Sequence, residues 1–138
     1  MNIKDTKMCF GCGKENEFGL QLEFSLTKGK AMAEFTLKPR FQGWNDIAHG
    51  GIVATILDEA MAWAIKSFTI KAVTAEMNVK YKKPTPIGKP LKVIGNVLKS
   101  KGRAIFTKAK IMDEDEILAT ATATYIKING RDLNEEND

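Results

Sequence analysis

The stretch from His49 to Lys66, HGGIVATILDEAMAWAIK, limits what this chain can fold into more than any other. After His49-Gly50-Gly51 it is apolar on almost every side, through Ile52, Val53, Ile56, Leu57, Ala60, Met61, Ala62, Trp63, Ala64 and Ile65. A helix of that composition must be wrapped on all faces. Only Asp58 and Glu59 interrupt it, and acids are almost never fully buried without a partner. On a helix, Asp58 shares a face with Ala54, Thr55, Ala62 and Ile65, where a carboxylate is desolvated. Glu59 points along Thr55, Trp63 and Lys66, toward a charge partner and solvent. The plainer reading puts both acids on one wet edge of an amphipathic helix.

The flanks of this helix read as strands. Leu20, Leu22, Phe24 and Leu26 alternate with polar residues, Lys28-Gly29-Lys30 turns, and Ala31, Ala33, Phe35 and Leu37 alternate again, as in a β-hairpin. Pro39 ends the second strand, and Arg40 to Ala48 is a loop leading into the helix. Beyond it, Val73, Ala75, Met77, Val79 and Tyr81 face one way, with Thr74, Glu76, Asn78, Lys80 and Lys82 facing the other. Pro84, Pro86 and Gly88 break the pairing there. Strands of about Pro90–Ser100 and Arg103–Met112 follow, joined at Lys101-Gly102. The last strand, Ile117–Ile128, sets Ala119, Ala121, Ala123 and Tyr125 against Thr120, Thr122, Thr124 and Ile126. Small alanines on one face let a bulky element approach, and the helix is the obvious candidate. The pattern predicts an α+β fold, an antiparallel sheet of about six strands wrapped around one long central helix. The division expected is a loop over 1–18, one domain over 19–128 and a disordered acidic tail over 129–138.

At 138 residues, 43% hydrophobic and 28% charged, the chain is one globular domain's worth and not a disordered one. It has no apolar run long enough for a membrane span and no signal-peptide core at its start, so a cytoplasmic protein without a membrane partner is expected. The formal charge of +4 hides an asymmetry, because the residues up to Gly130 hold 20 basic and 13 acidic side chains. A basic body suits a phosphate-bearing ligand or plain solubility. Cys9 and Cys12 form a CxxC, which supplies half of a tetrahedral zinc site. With one histidine and no other cysteine in the chain, free thiols in a packed turn are expected, and no metal. A symmetric dimer could bring four thiolates to its axis.

These motifs resemble a known family. HGG opening a buried helix, an acid nine residues after the histidine, an Ala-rich helix end and the later VKYKKPTPIG strand end are similar to the hotdog-fold acyl-CoA thioesterases. The likeness is greatest to the phenylacetate-degradation subgroup of the 4-hydroxybenzoyl-CoA thioesterase-like superfamily, and runs from about Cys9 to Ile126. Cys9-x-x-Cys12-Gly13, with Asn16 and Gly19-Leu20, resembles a segment ahead of the first strand in many members. The resemblance implies that the Gly50 N–H polarises the thioester carbonyl, where a helix N-terminus stabilises an oxyanion. The alternative is that Gly50-Gly51 merely provides a tight start to the helix. It places the family's acid on Asp58, as general base on water or as nucleophile, acting across a dimer interface.

By the same resemblance His49 orients or hydrogen-bonds at the carbonyl, although a histidine that simply caps the helix fits equally. Asn45, with Gln42, is a candidate to hold the loop or the attacking water. Lys80, Lys82, Lys83, Lys99, Lys101 and Arg103 are candidates for the phosphates of coenzyme A, or lysines that keep strand edges soluble. Gly51, Trp63, Met61 and Met77 are candidates to line the substrate cleft. No cofactor is implied. One histidine and no GxSxG argue against a serine hydrolase. A sheet around one helix leaves an edge, and the family closes it by pairing, so a homodimer or a tetramer of dimers is expected. The same fold hosts non-catalytic acyl-CoA binders. A nucleic-acid-binding role is disfavoured, because the lysines do not interleave with exposed aromatics.

Overall fold

The computed structural model describes residues 3–128. One helix, α1 (Gly50–Lys66), lies against a six-stranded antiparallel sheet of strands β1 (Ser25–Thr27), β2 (Lys30–Thr36), β3 (Ala72–Tyr81), β4 (Pro90–Lys101), β5 (Ala104–Asp113) and β6 (Glu116–Lys127). The order across the sheet is β1-β2-β4-β5-β6-β3. This is the hotdog arrangement predicted from the sequence, with every strand from β2 onward within a residue or two of its expected bounds. The expected 129–138 tail lies outside the described residues.

The first hairpin differs. Alternation predicted a strand from Leu20 to Leu26, yet β1 spans only Ser25–Thr27. The backbone before it is diverted, because Leu20 N–H donates to Phe10 O and Leu22 N–H to Gly11 O. Leu22 is buried all the same. Its alternation reports burial under the N-terminal loop instead of a place in the ladder.

Helix α1 buries Val53, Ile56, Leu57, Ala60, Met61, Ala64 and Ile65 against the sheet. Facing it are Val93 of β4, Ile105, Ala109 and Ile111 of β5, and Ala119, Ala121, Ala123 and Tyr125 of β6. Each large aliphatic side chain taken out of water is worth about 1.5–3 kcal/mol, so Leu57→Ala, at a fully buried position, should cost about 2–5 kcal/mol. The helix can lie this close because β4 carries Gly95 at the crossing. A Cβ there would sit 2.3 Å from Ala60 O.

One irregularity shapes the site. The β3–β6 ladder pairs Thr74 with Tyr125 and then Glu76 with Thr124, leaving Ala75 as a bulge. An extra residue reverses the alternation on one side of it. Met77 and Val79 pack against the core as expected, but Thr74, expected on the outer face, turns inward with its partner Tyr125. Strict alternation cannot show a bulge, since the inserted residue has no chemical signature.

Candidate active site

Loop 41–49 delivers the chain to the start of α1 through backbone bonds: His49 N–H to Phe41 O, Ala48 N–H to Thr85 O and Ile87 N–H to Asp46 O. The first turn then has few donors to spare. His49 is the N-cap, and its Nδ1 accepts the Gly51 N–H at 2.9 Å. Being an acceptor, Nδ1 carries no hydrogen, which leaves that hydrogen on Nε2. Ile52 and Val53 both donate to His49 O. Of the N–H groups that a helix start leaves unpaired, the one at Gly50 alone has no acceptor among the described residues. It lies at an exposed position, where the helix dipole favours negative charge. The hydroxyl of Tyr81, from the end of β3, donates to Gly50 O at 2.7 Å and closes one side of this opening.

Asp58 stands two turns further along the same helix. It is neither on a wet edge nor against an apolar wall. Its Oδ1 accepts Thr74 Oγ1 at 2.9 Å and also the Tyr125 hydroxyl, which lies within 2.9 Å of Asp58 O as well. Tyr125 is 1% exposed, and burial, then the Asp58 charge, pushes its hydroxyl far above the usual tyrosine range. It therefore stays a neutral donor. Two hydroxyls thus fix one carboxylate oxygen, and Oδ2 has no partner among the described residues. That is an acid held in orientation with one oxygen left for chemistry. Thr74 and Tyr125 were not singled out as site residues in the sequence; the bulge at Ala75 is what aims the first of them.

Glu59, one residue on, has a different surrounding from the one expected. Lys66 does not pair with it; Lys66 Nζ lies 4.3 Å from the centre of the Trp63 ring. Instead the CxxC loop covers Glu59. Cys9 Sγ donates to Glu59 Oε2 at 3.8 Å, and the sulfurs of Cys9 and Cys12 and a Glu59 oxygen lie within 4.8 Å of one another. Gly11 makes this approach possible, since a Cβ there would sit 2.3 Å from Glu59 Cγ. Burial raises the Glu59 carboxyl above the usual carboxylate range; the Cys12 thiol opposes this and the Asp58 charge adds to it. Burial likewise pushes the Cys12 thiol up to about 12, with Cys9 and Glu59 adding.

The remaining candidates are dispersed. Asn45 turns toward Asp46, its Nδ2 3.3 Å from Asp46 Oδ2, and Gln42 accepts the Asp46 N–H, so both serve the loop. Met61 is fully buried in the core, Met77 packs on its margin, and Trp63 stacks on Phe24 at 6.1 Å. Lys80 borders a depression of about 390 Å³ on the outer face of the sheet, with Asn78, Asn96, Lys108 and Lys110. Lys83 pairs with Glu116 beyond the end of β3, with Lys82 exposed beside it. Lys99, Lys101 and Arg103 lie at the β4–β5 turn, at the opposite end of the sheet, where Arg103 donates to Lys127 O and Lys99 lies over Phe106.

Comparison with known proteins agrees with this geometry. Residues 45–120, which include the end of the loop, α1 and strands β3 to β5, match the profile of the family described as the thioesterase superfamily. The chain is 33% identical over 119 residues to acyl-coenzyme A thioesterase THEM4 of Rattus norvegicus, covering 82% of this chain and 51% of that protein. It therefore spans about half the length of the curated relatives it matches. Among solved structures, the PaaI protein of the E. coli phenylacetic acid degradation operon superposes with a TM-score of 0.73 at 19% identity, covering 78% of this chain and 83% of that one. A Streptococcus mutans protein bound to acetyl-CoA superposes with a TM-score of 0.72 at 20% identity, covering 77% and 87%. Both likenesses are of fold. With the profile match extending over more than half of its length, the chain belongs to the thioesterase superfamily.

Proposed function

We propose that the protein hydrolyses acyl-CoA thioesters, and that each active site is assembled from two chains. The observation that carries this is a separation. The free Gly50 N–H and the oriented Asp58 lie on one helix eight residues apart, about 12 Å at 1.5 Å per residue, too far to act on one carbonyl. A second copy of the chain closes that gap. Strand β3 is a ten-residue edge of the sheet with no partner on its outer side among the described residues, and long unpaired edges favour pairing. Its Thr74 marks the position of Asp58 and its Tyr81 that of Gly50. Antiparallel pairing of two β3 strands centred on Asn78, with Ala75 bulged in each, sets Thr74 of each opposite Tyr81 of the other. Such a dimer has two equivalent sites, as two-fold symmetry requires.

In each site the Gly50 N–H donates to the thioester carbonyl oxygen, and Asp58 of the partner subunit takes a proton from water through its free Oδ2. The hydroxide equivalent adds to the carbonyl carbon and negative charge collects on the oxygen facing the helix N-terminus; as that oxygen re-forms the carbonyl the C–S bond breaks, the proton held by Asp58 passes to the departing CoA sulfur, and free acid and CoA leave. The same pairing brings Lys82 and Lys83 of one chain toward the Lys99–Arg103 end of the other, where CoA phosphates would meet both groups. The name of the rat relative and the acetyl-CoA held by the streptococcal protein support CoA thioesters as the substrate class.

Release of free thiol from short-chain, long-chain and aromatic acyl-CoAs tests the activity. Mixing Asp58→Asn with Gly50→Pro chains tests the assembly. Each mixed dimer keeps one intact site, so a random equimolar mixture should regain about a quarter of wild-type activity. No recovery would show that both groups act from one chain. No turnover on any ester, with CoA compounds still raising the Tm, would mark the protein as an acyl-CoA-binding domain.

A further inference from the structure

We propose that Cys9, Cys12 and Glu59 together bind one zinc-class divalent cation, which ties the N-terminal loop to helix α1. Counting sulfurs in the sequence leaves the site half made; the fold adds the third ligand from a helix fifty residues away. Soft thiolates with one carboxylate suit zinc over magnesium or calcium, which take oxygen. Tetrahedral zinc with bonds of about 2.3 Å to sulfur and about 2.0 Å to oxygen requires ligand atoms about 3.5–3.8 Å apart. Cys9 Sγ and Glu59 Oε2 are already 3.8 Å apart, and no pair in the cluster exceeds 4.8 Å. Small rotations of side chains close the difference. The fourth position is left for water.

Two hydrogen-bond donors lie where metal-bound sulfurs would accept from them. The Cys12 N–H donates to Cys9 Sγ at 3.4 Å. The indole N–H of Trp63 is buried with no hydrogen-bond partner among the described residues. A buried donor without an acceptor is costly, and a metal-bound thiolate beside it would supply one. The turn itself is closed by Gly13 N–H on Cys9 O at 2.8 Å, so the two sulfurs are presented by backbone already in place. Binding releases the thiol and any carboxyl protons to solvent.

The test uses the full chain, stripped with chelator, reduced, and kept free of oxygen so that two thiols titrate. After loading with zinc(II) and desalting, about one zinc per chain should remain. Cobalt(II) should give thiolate charge-transfer absorption and tetrahedral ligand-field bands. Cys9→Ser with Cys12→Ser should abolish both signals, and the isosteric Glu59→Gln should weaken binding about tenfold or more, with circular dichroism confirming the fold of each variant. Zinc should also slow amide exchange at Leu20 and Leu22, whose N–H groups bond to Phe10 and Gly11 across the loop. Reduced wild type that retains no zinc or cobalt overturns the site, as does Glu59→Gln chain that binds as tightly as wild type.

Discussion

Asp58 and Glu59 are neighbours in sequence, both half-buried on one helix, and the fold handles them in opposite ways. Asp58 meets hydroxyls: Thr74 from β3 and Tyr125 from β6 hold one of its oxygens and leave the other open. Glu59 meets sulfur: the Cys9–Cys12 loop lies over it and removes it from water. An acid held by neutral donors with a free oxygen is suited to moving a proton, whereas an acid covered beside two thiols is suited to being a ligand. Two adjacent carboxylates therefore acquire two different surroundings, and on the proposals above two different functions, from what the rest of the chain lays against them.

The sharpest way to break that comparison is to remove each charge in turn. Asp58→Asn should lower kcat about 100-fold to 10,000-fold on any acyl-CoA that the wild type hydrolyses. Glu59→Gln should stay within a few fold in the same thiol-release assay. Equal losses in both would mean that the two acids act as one unit. Next in size, Gly50→Pro should cost about 100-fold to 1,000-fold in kcat. Proline is well tolerated at the first helical position, and His49 already has the extended ψ of 137° that precedes proline comfortably. The substitution deletes one N–H and little else; Gly50→Ala, which retains it, should remain close to wild type.

Smaller effects sharpen the role of the hydroxyls. Thr74→Val and Tyr125→Phe free Asp58 to turn, and each should reduce kcat about tenfold to a hundredfold with KM little changed. Because both act on one oxygen, the double variant should lose less than the product of the two. Smallest is a stability effect. Tyr125 holds its proton more tightly when folded than when unfolded. Its contribution is therefore fully present below the ordinary tyrosine value of about 10 and declines as pH rises past it. Urea midpoints of the wild type should fall between about pH 8 and pH 11 by more than those of Tyr125→Phe.

The sequence made the helix and the β2–β6 ladder legible because periodicity reports burial, and burial in these elements is regular. The alanines of β6 gave away the face on which α1 lies. His49, Gly50 and Asp58 were singled out through the resemblance of their motif to the family's, along one element. What escaped were contacts made between elements. Thr74 was assigned to the wrong face because a bulge leaves no trace in composition, Tyr125 was placed only as one of the residues alternating on the alanine face of the last strand, and Glu59 was matched with Lys66, its neighbour on the helix, when its partners arrive from the far end of the chain. Leu20 and Leu22 misled for a related reason, since loop residues buried by other means alternate as strand residues do.

The bulge at Ala75 carries a consequence for insertions and deletions. Strand β3 spends one residue more than β6 between the Thr74–Tyr125 and Glu76–Thr124 pairs. A chain lacking Ala75 would close the ladder and still present Thr74 to Asp58, whereas one residue gained between Glu76 and Tyr81 would rotate Tyr81 away from the start of the helix. Length variation in this strand should therefore be tolerated at the bulge and excluded from the stretch after it.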